Sequence, residues 1–304
     1  MGRVHEHGVR EASRRALAAA LALTATYTAV EVAGGLLTGS LALLADAVHM
    51  LSDNVSIALA LVAAWLAGRP ETPKRTYGFK RAEVLAALAN GVLLVALSIW
   101  IFVEAFGRFR DPPEVLGGWM LAVALAGLVV NLVAGAILQR VRSASLNVEA
   151  AFRHVLADLL GSIGVAVAAV VILVTGWLQA DPLVSVLIGL LVLASSWAIL
   201  RDSTTILLEA SPRGIDTRGV GERLARSPGV VEVHDLHIWT ITSGFFALSA
   251  HVLVGRGEDC HARRRELERV LADEFGIEHT TLQVDHVGEE HGLVEMGRFG
   301  GERR

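Results

Sequence analysis

The sequence predicts a polytopic α-helical membrane protein with six transmembrane helices and a small C-terminal cytoplasmic α+β domain. Hydrophobic residues make up 53% of the 304-residue chain and the mean hydropathy is +0.52, which is more apolar than a soluble domain normally is. The apolar residues are gathered in runs of roughly 20, the length that an α-helix needs to cross a bilayer. After Ser211–Pro212 these runs give way to apolar residues that alternate with charged ones, so a second domain begins near that point.

Six apolar segments fit transmembrane helices, and glycine, proline or charged residues separate them. The first segment contains one charge, Glu31, which we expect to face the other helices because a charged group is costly in lipid. The expected spans cover approximately residues 16–37, 40–66, 84–106, 115–138, 144–177 and 181–200.

Basic residues in the connections predict the orientation of these helices. Lys and Arg are concentrated before the first span and after the second and fourth, whereas the opposite connections contain only Arg108 and Arg110. Because the cytoplasmic side carries the excess of basic residues, both termini are expected in the cytoplasm, with the protein in the plasma (inner) membrane. The formal net charge is −4 and the basic clusters are short, so the sequence favours the lipid bilayer, and not nucleic acid, as a partner.

The composition divides the chain into four parts. Residues 1–15 are expected to be a retained cytoplasmic tail, residues 16–210 the transmembrane domain, residues 211–290 a cytoplasmic domain, and residues 291–304 a disordered tail. The single cysteine, Cys260, excludes an intrachain disulfide and a cysteine-based zinc site. The cytoplasmic domain is predicted to run helix, strand, strand, helix, strand (αββαβ), with these elements at residues 216–227, 230–241, 245–254, 259–275 and 280–287.

Two of the apolar segments carry metal-ligand side chains at the same spacing. His49 and Asp53 lie four apart in the second span, and His154 and Asp158 repeat this His-x-x-x-Asp pattern in the fifth. Residues four apart share one face of a helix, which suits two ligands of one metal ion. Asp46, three residues before His49, lies near the same face. A single pair could equally be a buried histidine bonded to a carboxylate, but two pairs in hydrocarbon favour a four-ligand metal site.

Two imidazoles and two carboxylates form a tetrahedral shell whose net charge around a divalent cation is near zero. Zinc prefers this geometry, while calcium and magnesium ask for about six or more oxygen ligands. Cobalt and cadmium remain open alternatives to zinc. Because protons bind the same nitrogen and oxygen atoms, we expect metal and protons to compete for the site.

Two other classes of protein would also bury histidine and aspartate in membrane helices. An intramembrane metalloenzyme needs an open zinc position for water, but all four positions are filled here and the sequence contains no His-Glu-x-x-His motif. The sequence therefore predicts that the protein is not an enzyme. A membrane-tethered metal sensor that signals through its C-terminal domain stays open as an alternative to transport.

Five segments carry a family resemblance. They are SLALLADAVHMLSDN (40–54), YGFKRAEVLAALANG (77–91), HVLADLLGS (154–162), DPLVSVLIG (181–189) and VHDLHIWTITSGFFALSAHV (233–252). With these segments in this order, nearly the whole sequence resembles the cation diffusion facilitator family, and most closely its zinc-transporting branch.

The resemblance implies a homodimeric zinc exporter driven by proton antiport, with Zn²⁺ and H⁺ as the transported ions. It implies that the C-terminal part is a ferredoxin-like, metallochaperone-like cytoplasmic domain that binds a regulatory zinc. By resemblance, the ligands of the transport site are His49, Asp53, His154 and Asp158. The positions similar to relatives' cytoplasmic ligands are His234, His251, His261 and Asp285, with His237 and His286 as further candidates nearby.

Three departures from the family pattern limit what the resemblance implies. Some relatives have a zinc-binding histidine between the second and third helices, but residues 77–81 contain none. Others have a histidine-rich loop between the fourth and fifth helices, whereas residues 139–147 are free of histidine. Gln283 stands where some relatives place another cytoplasmic histidine. The resemblance therefore implies neither a loop site nor delivery of metal by a histidine-rich loop.

Overall fold

The computed structural model describes residues 2–67, 69–140, 146–288 and 298–299. Within the helices, some side chains are outside the described set, and those of Asp53 and His154 are among them. The chain divides into two compact units. The first contains Met1–Val62 and Ala87–Leu200, and the second contains Ala63–Ala86 and Arg201–Arg304.

Six long helices confirm the predicted class of membrane protein. Five of them have described stretches that are long and apolar enough to cross a bilayer, and α2 is described as apolar over Leu41–Ser52. The helices are α1 Gly2–Thr38, α2 Leu41–Ala67, α3 Ala82–Arg110, α4 Gly117–Gln139, α5 Leu146–Thr175 and α6 Ala180–Leu207.

The first helix is longer than the sequence predicts. It begins at Gly2, so the residues expected to form an N-terminal tail continue the helix instead. Arginine and glutamate make up six of residues 2–15 and proline is absent from them, which favours helix. Only the part from Ala16 to Thr38 is apolar enough to span a membrane.

Small residues let the membrane helices of the first unit approach closely. α4 packs against α1 and α5, and a Cβ atom at Gly127 of α4 would overlap the Tyr27 hydroxyl of α1. Glycine at such contacts is typical of helix packing in membranes, where van der Waals contact replaces the hydrophobic effect. The buried core between the helices includes Leu43, Ile101, Met120, Val165 and Ile188.

The start of α2 is held by a buried carboxylate from α6. Asp181, which has no solvent exposure, accepts hydrogen bonds from the Ser40 hydroxyl at 2.6 Å and from the backbone N–H groups of Leu41 at 2.8 Å and Ala42 at 3.1 Å. Arg108 of α3 lies 3.7 Å from the same carboxylate. These bonds satisfy backbone N–H groups that have no partner within the first turn of the helix. The negative charge of the carboxylate also interacts favourably with the positive end of the helix dipole.

The second unit contains an α+β domain with the predicted αββαβ order. β2 pairs antiparallel with β1 and parallel with β3, and the sheet order is β3-β2-β1-β4. The helices cover one face of the sheet, where their apolar side chains join those of the strands. The elements are α7 Thr217–Ala225, β1 Val230–Thr242, β2 Phe245–Val254, α8 Cys260–Phe275, β3 His279–His286 and β4 Arg298–Phe299.

Local sequence signals set the ends of these elements. Asp216 caps α7 by accepting the backbone N–H group of Arg218, and Asp259 caps α8 by accepting the backbone N–H groups of Ala262 and His261. These two hydrogen bonds hold the pKa of Asp259 below its usual range, and the bond from Ala262 has the larger effect on that pKa. β4 lies in the stretch expected to be a disordered tail, and the other residues beyond Gly288 are outside the described set.

The connection between α2 and α3 belongs to the second unit. Glu83 accepts hydrogen bonds from the hydroxyl groups of Thr242 at 2.6 Å and Ser243 at 2.9 Å, at the turn between β1 and β2. Tyr77 packs edge-on against His279, with 5.7 Å between ring centroids. The sequence alone had placed this connection with the transmembrane domain.

Candidate metal centre

The two helices with the repeated motif meet at one histidine and one aspartate. His49 Nε2 of α2 lies 3.5 Å from Asp158 Oδ1 of α5. The Asp158 side chain is 5% exposed and that of His49 is 23% exposed, so the pair lies almost entirely inside the helix bundle. The contact brings together one residue from each predicted ligand pair, although 109 positions separate them in the sequence.

The other two predicted ligands are described only by their helices. α2 is continuous through His49 and Asp53, and α5 is continuous through His154 and Asp158, so both spacings of four fall on unbroken helix. The side chains of Asp53 and His154 lie outside the described set. The four-ligand set therefore remains a prediction, of which the structure describes the His49–Asp158 half.

Three further polar side chains from the helices lie around this pair. Asp46, one turn before His49, accepts a long hydrogen bond of 3.5 Å from the hydroxyl of Ser162, one turn after Asp158. Ser162 in turn accepts a 3.2 Å bond from the side-chain amide of Asn131 on α4. Each of these three residues is 1% exposed. The sequence analysis had singled out Asp46, whereas Ser162 carried no signal beyond a position inside an apolar helix.

The nitrogen and oxygen donors of His49 and Asp158 define which ions this part of the site can accept. Imidazole and carboxylate together suit zinc and similar transition metals better than calcium or magnesium. Imidazole nitrogen and carboxylate oxygen are also the atoms that bind protons in these two side chains. The same atoms can therefore hold a metal ion or a proton.

The residues predicted for a cytoplasmic site are partly brought together. His234 of β1 and His251 of β2 are direct partners across the strands, and their ring centroids are 5.4 Å apart. Asp285 of β3 accepts a 2.8 Å bond from Gln283, whose strand partner is His251. His261 is exposed in the first turn of α8.

No group of three or more potential ligands is assembled among the described residues, so the predicted cytoplasmic site also stays a prediction. One feature fits a metal: His234 Nδ1 is buried without a hydrogen-bond partner in the described part of the chain and lies 3.6 Å from Glu232 Oε1. The sequence analysis missed Glu232. The two further candidates bond to other groups. His237 lies 3.1 Å from Asp235, and His286 lies 3.0 Å from the backbone carbonyl of Glu258.

The fold and these side chains define a polytopic membrane protein that buries metal-ligand groups between its helices and carries a small α+β domain. Family comparison gives the same division. Residues 17–208 match the cation efflux transmembrane domain, and residues 212–287 match the cytoplasmic domain of cation efflux proteins. The chain belongs to the cation efflux family, also called the cation diffusion facilitators.

Characterised relatives match over almost their full length. The metal cation efflux system protein CzcD of Cupriavidus metallidurans is 43% identical, over 94% of this chain and 90% of its own. The zinc transporter ZitB of Escherichia coli is 42% identical, over 92% and 90%. The cadmium, cobalt and zinc/H⁺-K⁺ antiporter of Bacillus subtilis is 39% identical, over 96% and 94%.

Among solved structures, the metal-bound C-terminal domain of the CzcD transporter from Cupriavidus metallidurans is similar to part of the chain. The sequence identity is 38%, and the match covers 23% of this chain and 97% of that domain, with a TM-score of 0.22.

Proposed function

We propose that the protein exports divalent metal ions from the cytoplasm, with zinc as its main substrate, in exchange for protons. The observation that carries this proposal is the 3.5 Å contact between His49 and Asp158, which joins the α2 and α5 copies of the His-x-x-x-Asp motif. Ionisable side chains at this depth are costly unless they bind an ion or a proton. The relatives named for metal efflux and for zinc transport match over more than nine-tenths of the chain, which supports the same function.

The proposed transport site consists of His49, Asp53, His154 and Asp158. Two neutral imidazoles and two carboxylates balance the charge of Zn²⁺, so the loaded site is nearly neutral and its helices can rearrange at little electrostatic cost. With four protein ligands the shell has no open position for a reactive water, as a hydrolytic zinc would need. We therefore propose a transporter and not an enzyme.

Protons are proposed to replace zinc on the same atoms. An empty site would leave two carboxylates near each other in a low dielectric, and at least one of them then binds a proton. Histidine has a reference pKa of about 6.5, so it also takes up protons in the physiological range. A protonated His49 forms an ion pair with Asp158 across their 3.5 Å contact, which replaces part of the lost metal charge. Exposure of one site to each side in turn then exchanges zinc for protons.

We also propose a homodimer with both termini in the cytoplasm and its helices in the inner membrane. The family model that matches residues 212–287 is named for a dimer and described as a cytoplasmic domain, which supports the dimer and a cytoplasmic C-terminal domain. A regulatory zinc in this domain is proposed to bind His234 and His251, with His261 and Asp285 as the other ligands. The buried, unbonded Nδ1 of His234 supports its place in that set.

Zinc flux into inverted vesicles that contain the purified protein tests the function. An acidic vesicle interior should accelerate zinc entry, and a protonophore should remove the acceleration. Asp158→Asn should abolish the flux, whereas the matched control Glu114→Gln, an exposed carboxylate of the same helical unit, should retain it. Absence of flux in the wild-type protein would favour a metal sensor, and flux that ignores the pH gradient would exclude proton exchange.

Competition by cobalt and cadmium in the same vesicles tests the choice of ion. The Bacillus subtilis relative is named for cadmium, cobalt and zinc together, so these two ions are the relevant competitors. Because imidazole donors favour zinc, zinc flux should persist in about a tenfold excess of either ion. That result would support zinc as the main substrate.

A further inference from the structure

Two buried acidic side chains next to the transport site have no part in the exchange described so far. Glu31 of α1 and Asp46 of α2 are each 1% exposed. Their side chains lie within hydrogen-bonding contact of each other. An ionised carboxylate can accept hydrogen bonds but cannot donate one, so two ionised groups could not bond to each other. Two buried carboxylates in contact are costly in an apolar bundle, so something positive must accompany them.

The hydrogen bonds around Glu31 lack one donor. The Tyr27 hydroxyl lies 3.2 Å from Glu31 Oε1 and 3.0 Å from the backbone carbonyl of Val123 on α4, and it has only one proton to donate. Glu31 Oε2 is buried with no hydrogen-bond partner in the described part of the chain. If Glu31 carries a proton, it becomes a donor to Asp46, so its carboxyl group no longer depends on the single proton of Tyr27.

The hydrogen bonds around Asp46 show the same shortage. Its Oδ1 atom is buried and has no hydrogen-bond donor among the residues described, and the one described donor to its Oδ2 atom is the Ser162 hydroxyl, at 3.5 Å. Orphaned acceptors of this kind are rare in buried sites and call for an unseen partner. One proton shared between Asp46 and Glu31 would serve both.

Among the side chains that the structure describes, His49 is the basic group whose charge acts most strongly on Asp46. His49 and Asp158 are the nearest titratable groups besides Tyr27, and the side chains of Arg153 and His154 are outside the described set. α4 has no charged residue. The charged residues of α3 and α6 lie toward the helix ends and are Glu83, Glu104, Arg108, Arg110, Asp181, Arg201 and Asp202.

The space around the pair favours a proton over a larger cation. A Cβ atom at Gly161 of α5 would come within 2.5 Å of Asp46 Oδ1, so the α5 backbone lies directly against this carboxylate. On the other side, Gly127 of α4 closes on the Tyr27 hydroxyl in the same way. A cation such as potassium would need about six oxygen ligands around it, whereas a proton needs only the two carboxyl oxygens.

We propose that Glu31 and Asp46 form a proton-binding site separate from the metal ligands, in which the two carboxyl groups hold one proton between them. This inference rests on the proposed function, because the proton acts in metal exchange. Asp46 is one helical turn from His49, and a divalent ion bound there repels the shared proton. Metal entry therefore releases this proton in addition to any displaced from the ligands themselves.

The experiment counts protons released when zinc binds to the full-length protein in detergent. Calorimetric titrations with zinc in buffers of different ionisation enthalpy give this number. Glu31→Gln keeps the size of the side chain, and its amide can donate to Asp46, so the fold should be retained. We expect this variant to bind as many zinc ions as the wild type while releasing about one proton fewer per transport site. Glu114→Gln is the matched control and should release as many as the wild type.

Infrared difference spectra with and without zinc provide a second measurement. Zinc should remove C=O stretching intensity of protonated carboxyl groups from the wild-type protein, and the part of this loss that comes from the pair should be missing in Glu31→Gln. Asp46→Asn should lose the same change, which covers the case in which the first variant does not fold. A purely structural role for the pair would make the zinc-dependent loss equal in the wild type and in Glu31→Gln.

Separate outcomes overturn the inference and the proposed function. Proton-coupled zinc flux in the wild type together with an unchanged proton count in Glu31→Gln would overturn only the inference. Wild-type protein whose zinc flux ignores the pH gradient would overturn the exchange function itself. If replacing potassium by choline changes zinc binding in the wild type but not in Glu31→Gln, the pair binds potassium and the proton site is wrong.

Discussion

At the scale of single residues, His49 contributes the donor that distinguishes the site from one made of oxygen alone. Its contact with Asp158 places an imidazole nitrogen at the meeting point of α2 and α5. Nitrogen donors favour zinc, whereas oxygen-rich shells accept manganese and cadmium more readily. The identity of this one side chain should therefore influence the ranking of transported ions.

We predict that His49→Asp relaxes the selectivity of transport. The ratio of zinc flux to cadmium and manganese flux should fall by about tenfold, which corresponds to roughly 1.4 kcal/mol of lost preference. Competition assays in vesicles measure this ratio. The same substitution at His237, which lies on β1 outside the helical unit, is the control and should leave the ranking unchanged. An unaltered ranking in His49→Asp would argue against its role as a ligand.

At the scale of elements, the position of α2 depends on a cap from a distant helix. Asp181 supplies one buried carboxylate that accepts three bonds from Ser40, Leu41 and Ala42. α2 carries His49 two turns after this anchor, so a shift at its first turn moves the ligand face as well.

We predict that Asp181→Ala destabilises the transmembrane domain strongly. Removing the carboxylate leaves the three hydrogen-bond donors and the Arg108 charge without their partner. For a buried charge pair, this lowers the free energy of unfolding by on the order of 3–5 kcal/mol. Thermal unfolding of the purified protein should show a large decrease in melting temperature. Asp111→Ala, at an exposed position just beyond α3, is the control and should unfold like the wild type. Equal melting temperatures for both variants would contradict the anchoring role.

Close approach of α1 and α4 is a second property of the elements. Gly127 leaves room for the Tyr27 hydroxyl, which bonds both Glu31 and the backbone of α4. We predict that Gly127→Ala lowers stability by about 1–3 kcal/mol because the added methyl group forces the helices apart. Gly118→Ala on the same helix meets no atom within 4 Å and serves as the matched control. Melting temperatures of the two variants distinguish a packing effect from a change in helix propensity.

At the scale of the whole molecule, zinc is expected to act on the C-terminal domain as well as to pass through the helices. His234 and His251 face each other across two strands, and the proposed dimer would be stabilised by metal bound there. A ligand at about 100 times its dissociation constant adds approximately 2.7 kcal/mol to the stability of the state that binds it.

We predict that zinc raises the melting temperature of the full-length Asp158→Asn variant, in which the transport site is disabled, and that a chelator reverses the rise. His234→Ala or His251→Ala in this background should remove the effect. His237→Ala, which removes a histidine already bonded to Asp235, should keep it. A zinc-independent melting temperature in the Asp158→Asn protein would mean that the histidines of the domain are not metal ligands.

Much of this architecture follows from the sequence because its signals are local. Apolar runs of bilayer length predicted the membrane helices, and the alternation of apolar and charged residues after Ser211–Pro212 predicted the αββαβ order of the domain. The repeated His-x-x-x-Asp spacing identified both helices that meet at the candidate site. The extension of α1 to Gly2 was missed because charged residues at a terminus favour a helix and a tail almost equally.

The sequence by itself determined the class of fold, the family and which residues are candidate ligands, because each follows from patterns of residues close together in the chain. Only the tertiary structure decided that Glu31 meets Asp46, that Asp181 anchors α2 and that β3 lies parallel to β2. These contacts join residues on different elements, up to 141 positions apart. Helix and strand periodicities specify which face of an element is buried, but the partner across that face is selected by packing of the whole domain.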